Sequence, residues 1–297
     1  FIYRLENASV YYLYLQDKEE DWITYVFKQA EKIDYTKKDT RTEPDLPAFT
    51  FEEFESMFTK SGKWHFAYTR GEKLGTQKWK KSKTFPVDKI NADWKENYYI
   101  TDISYGGIGN EKEWFVTSSK TKYTTQLWKL KSNTDELKAA IEEIRKTRPE
   151  HFISHIAYGD DQWVLVASKG TGYTNQTTIM SRKFPEENIK ENWKTDYYIT
   201  DMAYGGGWWT VVMSKGSTIT KQHFHIWDSW DQLKINNEVA KGDYLTEAVK
   251  QGEKWYMLFS MDKYISAQDS EVSETIPEKT ISNKWGNGYS ISRSFYY

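Results

Sequence analysis

Three acids and a histidine stand at matching places in four short runs. Asp102 lies in YYITDISYGG (98–107), Asp201 in YYITDMAYGG (197–206) and His155 in FISHIAYGD (152–160), and Glu247 holds the same position in a further copy. Carboxylates gathered around one channel can divide acid and base roles, so a hydrolase built on such a pair is one reading. The other is that each side chain satisfies a backbone or hydroxyl group of a neighbouring element. The lack of any accompanying motif favours the second, and no catalytic residue is assigned. His223 and His225 alternate on one strand face, where two imidazoles can seed a metal site. No third ligand stands near them in the sequence, so neither a metal nor another cofactor is assigned. There is no G-x-S-x-G elbow, P-loop, H-E-x-x-H or calcium loop. Gly205-Gly206-Gly207 lacks the following helix and the Lys-Ser/Thr pair of a phosphate cradle, and reads as a strand turn. Cysteine is absent, which excludes thiolate metal sites and cysteine nucleophiles.

A second recurring set is cationic. Lys28, Arg70, Lys120, Lys169 and Lys215 end five tryptophan-bearing strands, and the sixth ends in Met261 with Lys263 two residues on. The loops beyond carry Tyr123 and Tyr173, while Tyr98 and Tyr197 open the acid-bearing runs. If these ends share a face, a ring of cations on a chain of net charge −2 focuses positive potential there. Such a face suits an acidic or phosphorylated peptide. Lysine at a strand end is also a common solvated choice that discourages edge pairing. Tyr98, Tyr123, Tyr173 and Tyr197 would equally stack on sugar rings, which is the lectin-like alternative. The near-neutral charge disfavours nucleic acid as a partner, and no run is apolar for the length of a membrane span.

These residues are carried by a repeat. Trp64, Trp114, Trp163, Trp209 and Trp255 each precede a glutamine by twelve or thirteen residues: Gln77, Gln126, Gln176, Gln222 and Gln268. Trp22 marks a more divergent sixth copy with no glutamine. Each unit reads as a β-branched and aromatic strand closed by glycine, a tight turn, the tryptophan strand, and a strand around the glutamine. A helical piece follows. TDELKAAIEEIRKTR (134–148) has helical apolar spacing, and Phe85-Pro86…Trp94 and Phe184-Pro185…Trp193 hold the same place as shorter helices.

The expected fold is therefore mostly β, a β-propeller of six or seven blades built from β-β-β-helix repeats of about 45–50 residues. Tryptophans would fill the interfaces between blades and account for aromatics at 17 % of residues. The glutamine amide, able to donate and accept, would brace the turn between the tryptophan and glutamine strands. The opening FIYRL and the closing GYSISRSFYY read as single strands whose pairing would close the ring. One repeat domain over residues 1–297 is expected, with the Pro44 and Pro47 loop (37–49) as its most exposed insertion. The chain opens on Phe1 rather than Met, as a trimmed or partial chain would. Freedom from cysteine fits a reducing cytoplasm.

The run YTNQ…FPEENIKENWKTDYYITDMAYGGGWWTVVMSKGS…TKQ (173–222) resembles the tryptophan-rich repeats that follow the kinase domain of plant casein-kinase-like proteins, and similar repeats appended to bacterial caspase-family proteases. The resemblance covers roughly residues 60–290 and is strongest over 161–222. It is weaker at 134–148, where a longer helix replaces Phe-Pro, and at 223–240. It implies a non-catalytic accessory module that recognises a protein partner or regulates an enzyme domain on the same or another chain. No catalytic residue carries over.

Overall fold

From Trp64 onward, the runs rich in Ile, Val, Thr and aromatic residues form strands where the repeat predicts them. The computed structural model describes residues 2–4, 11–13, 62–71, 74–107 and 109–296. The chain, read from its sequence as one repeat domain, divides into two compact units, Phe1–Phe58 and Thr59–Tyr297. In the first, β1 (Ile2–Arg4) pairs antiparallel with β2 (Tyr11–Leu13). The copy around Trp22, its Lys28 and the loop 37–49 lie outside the described residues.

The second unit holds five three-stranded antiparallel sheets among the described residues, each centred on a tryptophan strand. Around Trp114 the order is β4 (Gln77–Ser82), β6 (Glu113–Ser119), β5 (Tyr99–Gly106). Around Trp163 it is β7 (Thr125–Lys131), β9 (Gln162–Lys169), β8 (His151–Gly159). Around Trp209 it is β10 (Asn175–Ser181), β12 (Trp208–Lys215), β11 (Tyr198–Gly205). Around Trp255 it is β13 (Ile219–Trp227), β15 (Lys254–Asp262), β14 (Tyr244–Gln251). The Trp64 sheet joins the two ends of this unit: β3 (Trp64–Arg70) lies between β16 (Ala267–Ser273) and β17 (Ser290–Tyr296).

Two expectations change here. The three strands of a sheet do not lie side by side in chain order: in four sheets the glutamine strand pairs with the tryptophan strand that follows it beyond the first strand, so Gln126 faces Ser168 and Gln176 faces Ser214, and in the Trp64 sheet β16 pairs with β3. Only the first-strand-to-tryptophan link is a hairpin. Asp160-Asp161 and Gly206-Gly207 supply the consecutive positive φ values that a two-residue hairpin turn requires, whereas the loops after Lys120 and Lys169 step to the next sheet. The structural unit is thus strand, helix, strand, strand. Second, GYSISRSFYY forms β17 and pairs with the Trp64 strand, while FIYRL pairs with Tyr11–Leu13. The C-terminal run has the composition of a first strand and takes the place beside Trp64 that YYITDISYGG takes beside Trp114.

The helices link glutamine strand to first strand. They are α1 (Val87–Lys95), α2 (Thr134–Thr147), α3 (Glu186–Trp193), α4 (Gln232–Ala240) and α5 (Glu278–Gly286). Pro86, Pro185 and Pro277 stand at three N-termini, where a missing N–H costs nothing. Asn133 caps α2 by accepting from the Glu136 N–H at 2.9 Å. Among the described residues, no helix is long and apolar enough to cross a membrane.

The first strands β5, β8, β11, β14 and β17 are neighbours in that order, and β17 returns to β5. Each central tryptophan is buried in a cluster shared with the next sheet, as Trp163 is with Ala203 and Val212 and Trp114 with Ala157 and Val164. The repeated glutamines tie the same neighbours together, though not by bracing their own turn. The Ile100 N–H donates to Gln126 Oε1 at 2.8 Å, and Gln126 Nε2 donates to the Ile100 carbonyl at 3.0 Å and to Ser168 Oγ at 2.9 Å. Gln77 on Ile291, Gln176 on Ile153, Gln222 on Ile199 and Gln268 on Leu245 repeat this backbone clip. A side-chain amide carries one donor group and one acceptor, so it can pair with a peptide unit as a strand residue does.

Candidate functional site

Every first strand shifts register at one place, between Ile100 and Asp102, Ile153 and His155, Ile199 and Asp201, Leu245 and Glu247, and Ile291 and Arg293. The extra residue is always Ser or Thr, and four of the five bond a serine on the tryptophan strand, as Thr101 does Ser119 at 2.6 Å. A bulge re-aims the side chain that follows it. Asp102, His155, Asp201, Glu247 and Arg293 consequently line one cavity of about 170 Å³, which extends toward Tyr105, Tyr158, Tyr204 and Lys250.

These groups face one another. His155 Nδ1 lies 3.2 Å from Asp201 Oδ2, and the Ile156 N–H donates to Asp201 Oδ1 at 3.3 Å. Arg293 Nε donates to Glu247 Oε2 at 3.3 Å, its Nη2 to the Thr200 carbonyl at 3.3 Å, and the guanidinium stands 4.0 Å from Asp201. The Ser294 hydroxyl donates to Asp102 Oδ2 and shares a 2.6 Å hydrogen bond with Ser104. Burial pushes Asp102 up to about 7, against the pull of Arg293 and Ser294. It also holds Glu247 well above the usual carboxylate range, helped by the charge of Asp201. Burial lowers His155, with Asp201 opposing. Burial therefore outweighs the attraction of Arg293 at both Asp102 and Glu247.

Such a ring can exchange protons and hold a few waters, at about 30 Å³ each. Its cavity falls short of the ~300 Å³ at which pockets for drug-sized ligands begin. Sequence reasoning grouped the acids with His155 but missed Arg293. The signal was present, because GYSISR aligns with YYITD and puts Arg293 at the acid's position.

The cationic positions occupy another edge of the same sheets. Arg70, Lys120, Lys169 and Lys215 end or immediately follow central strands, and each bonds through its main chain to the loop that leads into a glutamine strand. Three rest on the tyrosine that precedes or opens a first strand. The Arg70 guanidinium is 4.4 Å from the Tyr289 ring centre, Lys120 Nζ 5.2 Å from Tyr98, and Lys215 Nζ 4.7 Å from Tyr197. Such stacking is worth about 0.5–1 kcal/mol at an exposed site and leaves the charge facing water. Lys169 is exposed without such a shelf, because His151 holds the tyrosine's place there. In the Trp255 sheet Met261 takes the position, so four sheets of the five carry a cation.

The four tyrosines assigned to binding are half-buried. Tyr98 and Tyr197 lie under the cations just named. Tyr123 meets Tyr99 edge-on at 6.4 Å, and Tyr173 meets Phe152 at 6.1 Å. Tyr173 also senses Arg293 and Asp201, and burial pushes its hydroxyl up to about 12.

No curated protein matches the chain. Residues 134–295, running from the start of α2 into β17 and exceeding half of the chain, match the model of a family described as a domain of unknown function, DUF7477. The chain belongs to the DUF7477 family.

Proposed function

We propose that the unit Thr59–Tyr297 is a β-propeller of five blades, in place of the six or seven expected from the sequence, acting as a non-catalytic recognition module that receives an acidic or phosphorylated protein segment on its cationic edge. The cyclic order of the first strands and the cycle of five glutamine clips support the propeller. The observation that carries the function is the repetition of an exposed or half-exposed cation at one position in four sheets, three of them propped on tyrosine rings. An unpropped lysine loses more conformational entropy when it binds. The propped cations are preorganised for an anionic partner.

The carboxylates of the channel are engaged with Arg293, His155, Ser294 and the Ile156 N–H, which favours an architectural role for them over hydrolysis. A sugar-binding role loses support because two of the four tyrosine faces lie under cations. The resemblance to repeats beside kinase and caspase-like domains suits a module that docks a substrate or regulator for such an enzyme.

An array of acidic and phosphorylated peptides tests this reading. Binding should weaken as salt rises. It should fall about 10-fold or more in the triple variant Lys120→Glu, Lys169→Glu, Lys215→Glu. Hits that survive the triple reversal, or an array that stays blank at low salt, would sink it.

A further inference from the structure

In three sheets the glutamine strand and the helix that follows it face each other across an ion pair. In the Trp114 sheet this seam is the pair of Lys80 on β4 with Asp93 on α1. In the Trp163 sheet it is Lys129 with Glu143, 2.6 Å apart, and in the Trp64 sheet Lys284 with Asp269. The Trp255 sheet departs from this pattern. His223 and His225 of β13 stand opposite Glu238 of α4, so two imidazoles replace the lysine partner.

The geometry is that of a ligand set. His223 Nε2 lies 3.6 Å from Glu238 Oε2, and His225 Nε2 lies 3.7 Å from Glu238 Oε1. The three donor atoms fall within 4.8 Å of one another, and all three residues are half-buried. Bonds of about 2.0–2.1 Å to one tetrahedral ion place ligand atoms about 3.4 Å apart, so a small contraction would close the set. The rings are already held. His223 stacks on Phe259 at 5.6 Å and His225 on Trp227 at 5.6 Å, each with 17° between planes. The chain's other histidines, His65, His151 and His155, are buried, and it has no cysteine. Two nitrogens and one carboxylate suit borderline first-row ions rather than magnesium or calcium, which prefer all-oxygen shells.

We propose that His223, His225 and Glu238 bind one first-row divalent transition cation, of which zinc is the type, with a fourth position open to solvent. Lys241 Nζ, 3.0 Å from Glu238 Oε1, occupies the carboxylate until the ion displaces it. The sequence shows the histidine pair but not its partner, because Glu238 joins the pair only when α4 folds back along β13.

Cobalt(II) titrated into the whole chain reads the site directly. A visible d–d band of four- or five-coordinate ions should saturate at one equivalent, and zinc should bleach it while magnesium should not. Zinc calorimetry should show binding weakened about 10-fold or more in His223→Ala, His225→Ala and Glu238→Gln, and strengthened in Lys241→Met. No cobalt band in the wild-type chain would overturn the proposal, and that measurement needs no variant to fold. So would zinc binding that both histidine variants leave intact.

Discussion

Removing the charge of Asp102 should stabilise the protein at neutral pH, although Asp102 sits in a polar ring. Asp102 is 2 % exposed. Its ordinary pKa is 3.8, and burial pushes it up to about 7. The folded state therefore binds a proton more tightly than the unfolded chain does. Between those two values the folded state holds more protons, so stability falls as pH rises, and the loss levels off above about 7. At about 1.36 kcal/mol per pH unit, the span amounts to roughly 4 kcal/mol, an upper figure because water entering the channel reduces it. Asp102→Asn keeps an acceptor for the Ser294 hydroxyl and removes the titration. Urea unfolding followed by tryptophan fluorescence at a series of pH values from 4 to 9 measures the difference between variant and wild type. The variant should match the wild type near pH 4 and gain on it steadily to about pH 7. The loss of Asp102's charge also relaxes Glu247, which adds to the gain with the same sign. A difference that stays flat across the range, with unchanged urea dependence, would refute the reasoning, and so would one that shrinks as pH rises.

Two further predictions concern the scaffold. His65 is buried against Trp230, with ring centres 3.6 Å apart, and burial with help from Lys63 lowers it to about 3 from an ordinary 6.5. It is neutral when folded, so its contribution is whole above pH 6.5 and is lost as pH falls toward 3; from 6.5 to 4.5 the loss is roughly 3 kcal/mol. His65→Phe should flatten that acid limb, and an unchanged slope in acid melting curves counts against it. At Gly205 an added Cβ would stand 1.9 Å from Tyr158 Cγ, so Gly205→Ala should cost about 1–3 kcal/mol. The cost should shrink in a Tyr158→Ala background, and an equal penalty in both backgrounds would show that the tyrosine is not the cause.

Much of this was legible because repetition removes chance. Five Trp–Gln spacings locate the strands, Phe-Pro locates the helix starts, and the YGG run marks the turns. Gly106, Gly159 and Gly205 prove to be necessary for a second reason, since each lies against a tyrosine of the preceding sheet: Tyr296, Tyr105 and Tyr158. The connection between sheets was not legible. A hairpin and a step to the next sheet both read as two strands with a polar loop between them, and only tertiary packing distinguishes Lys120-Thr121-Lys122 from Gly206-Gly207. The glutamine's target was hidden for the same reason, because Ile100 is its partner only once the strand has crossed over. Arg293 was missed because the eye sought acids at that position, where the register of the bulge alone would have named it.

The five copies also separate scaffold from specialisation, and the criterion is physical. Where a position keeps one residue type all round, as with Trp209 or Gln222 and their equivalents, it serves contacts that every sheet interface repeats. Where the residue type changes from copy to copy, no shared contact explains it. The position after the bulge reads Asp, His, Asp, Glu, Arg, and these mixed charges satisfy one another across the channel. Five copies of one charge facing one cavity would repel, so sharing that cavity itself demands divergence. No such demand acts on the outer seam of the Trp255 sheet, where a lysine–carboxylate pair serves three of the other four sheets. Two histidines there are a choice that packing does not require, and this is why that seam, rather than the channel, is where the search for a ligand should begin.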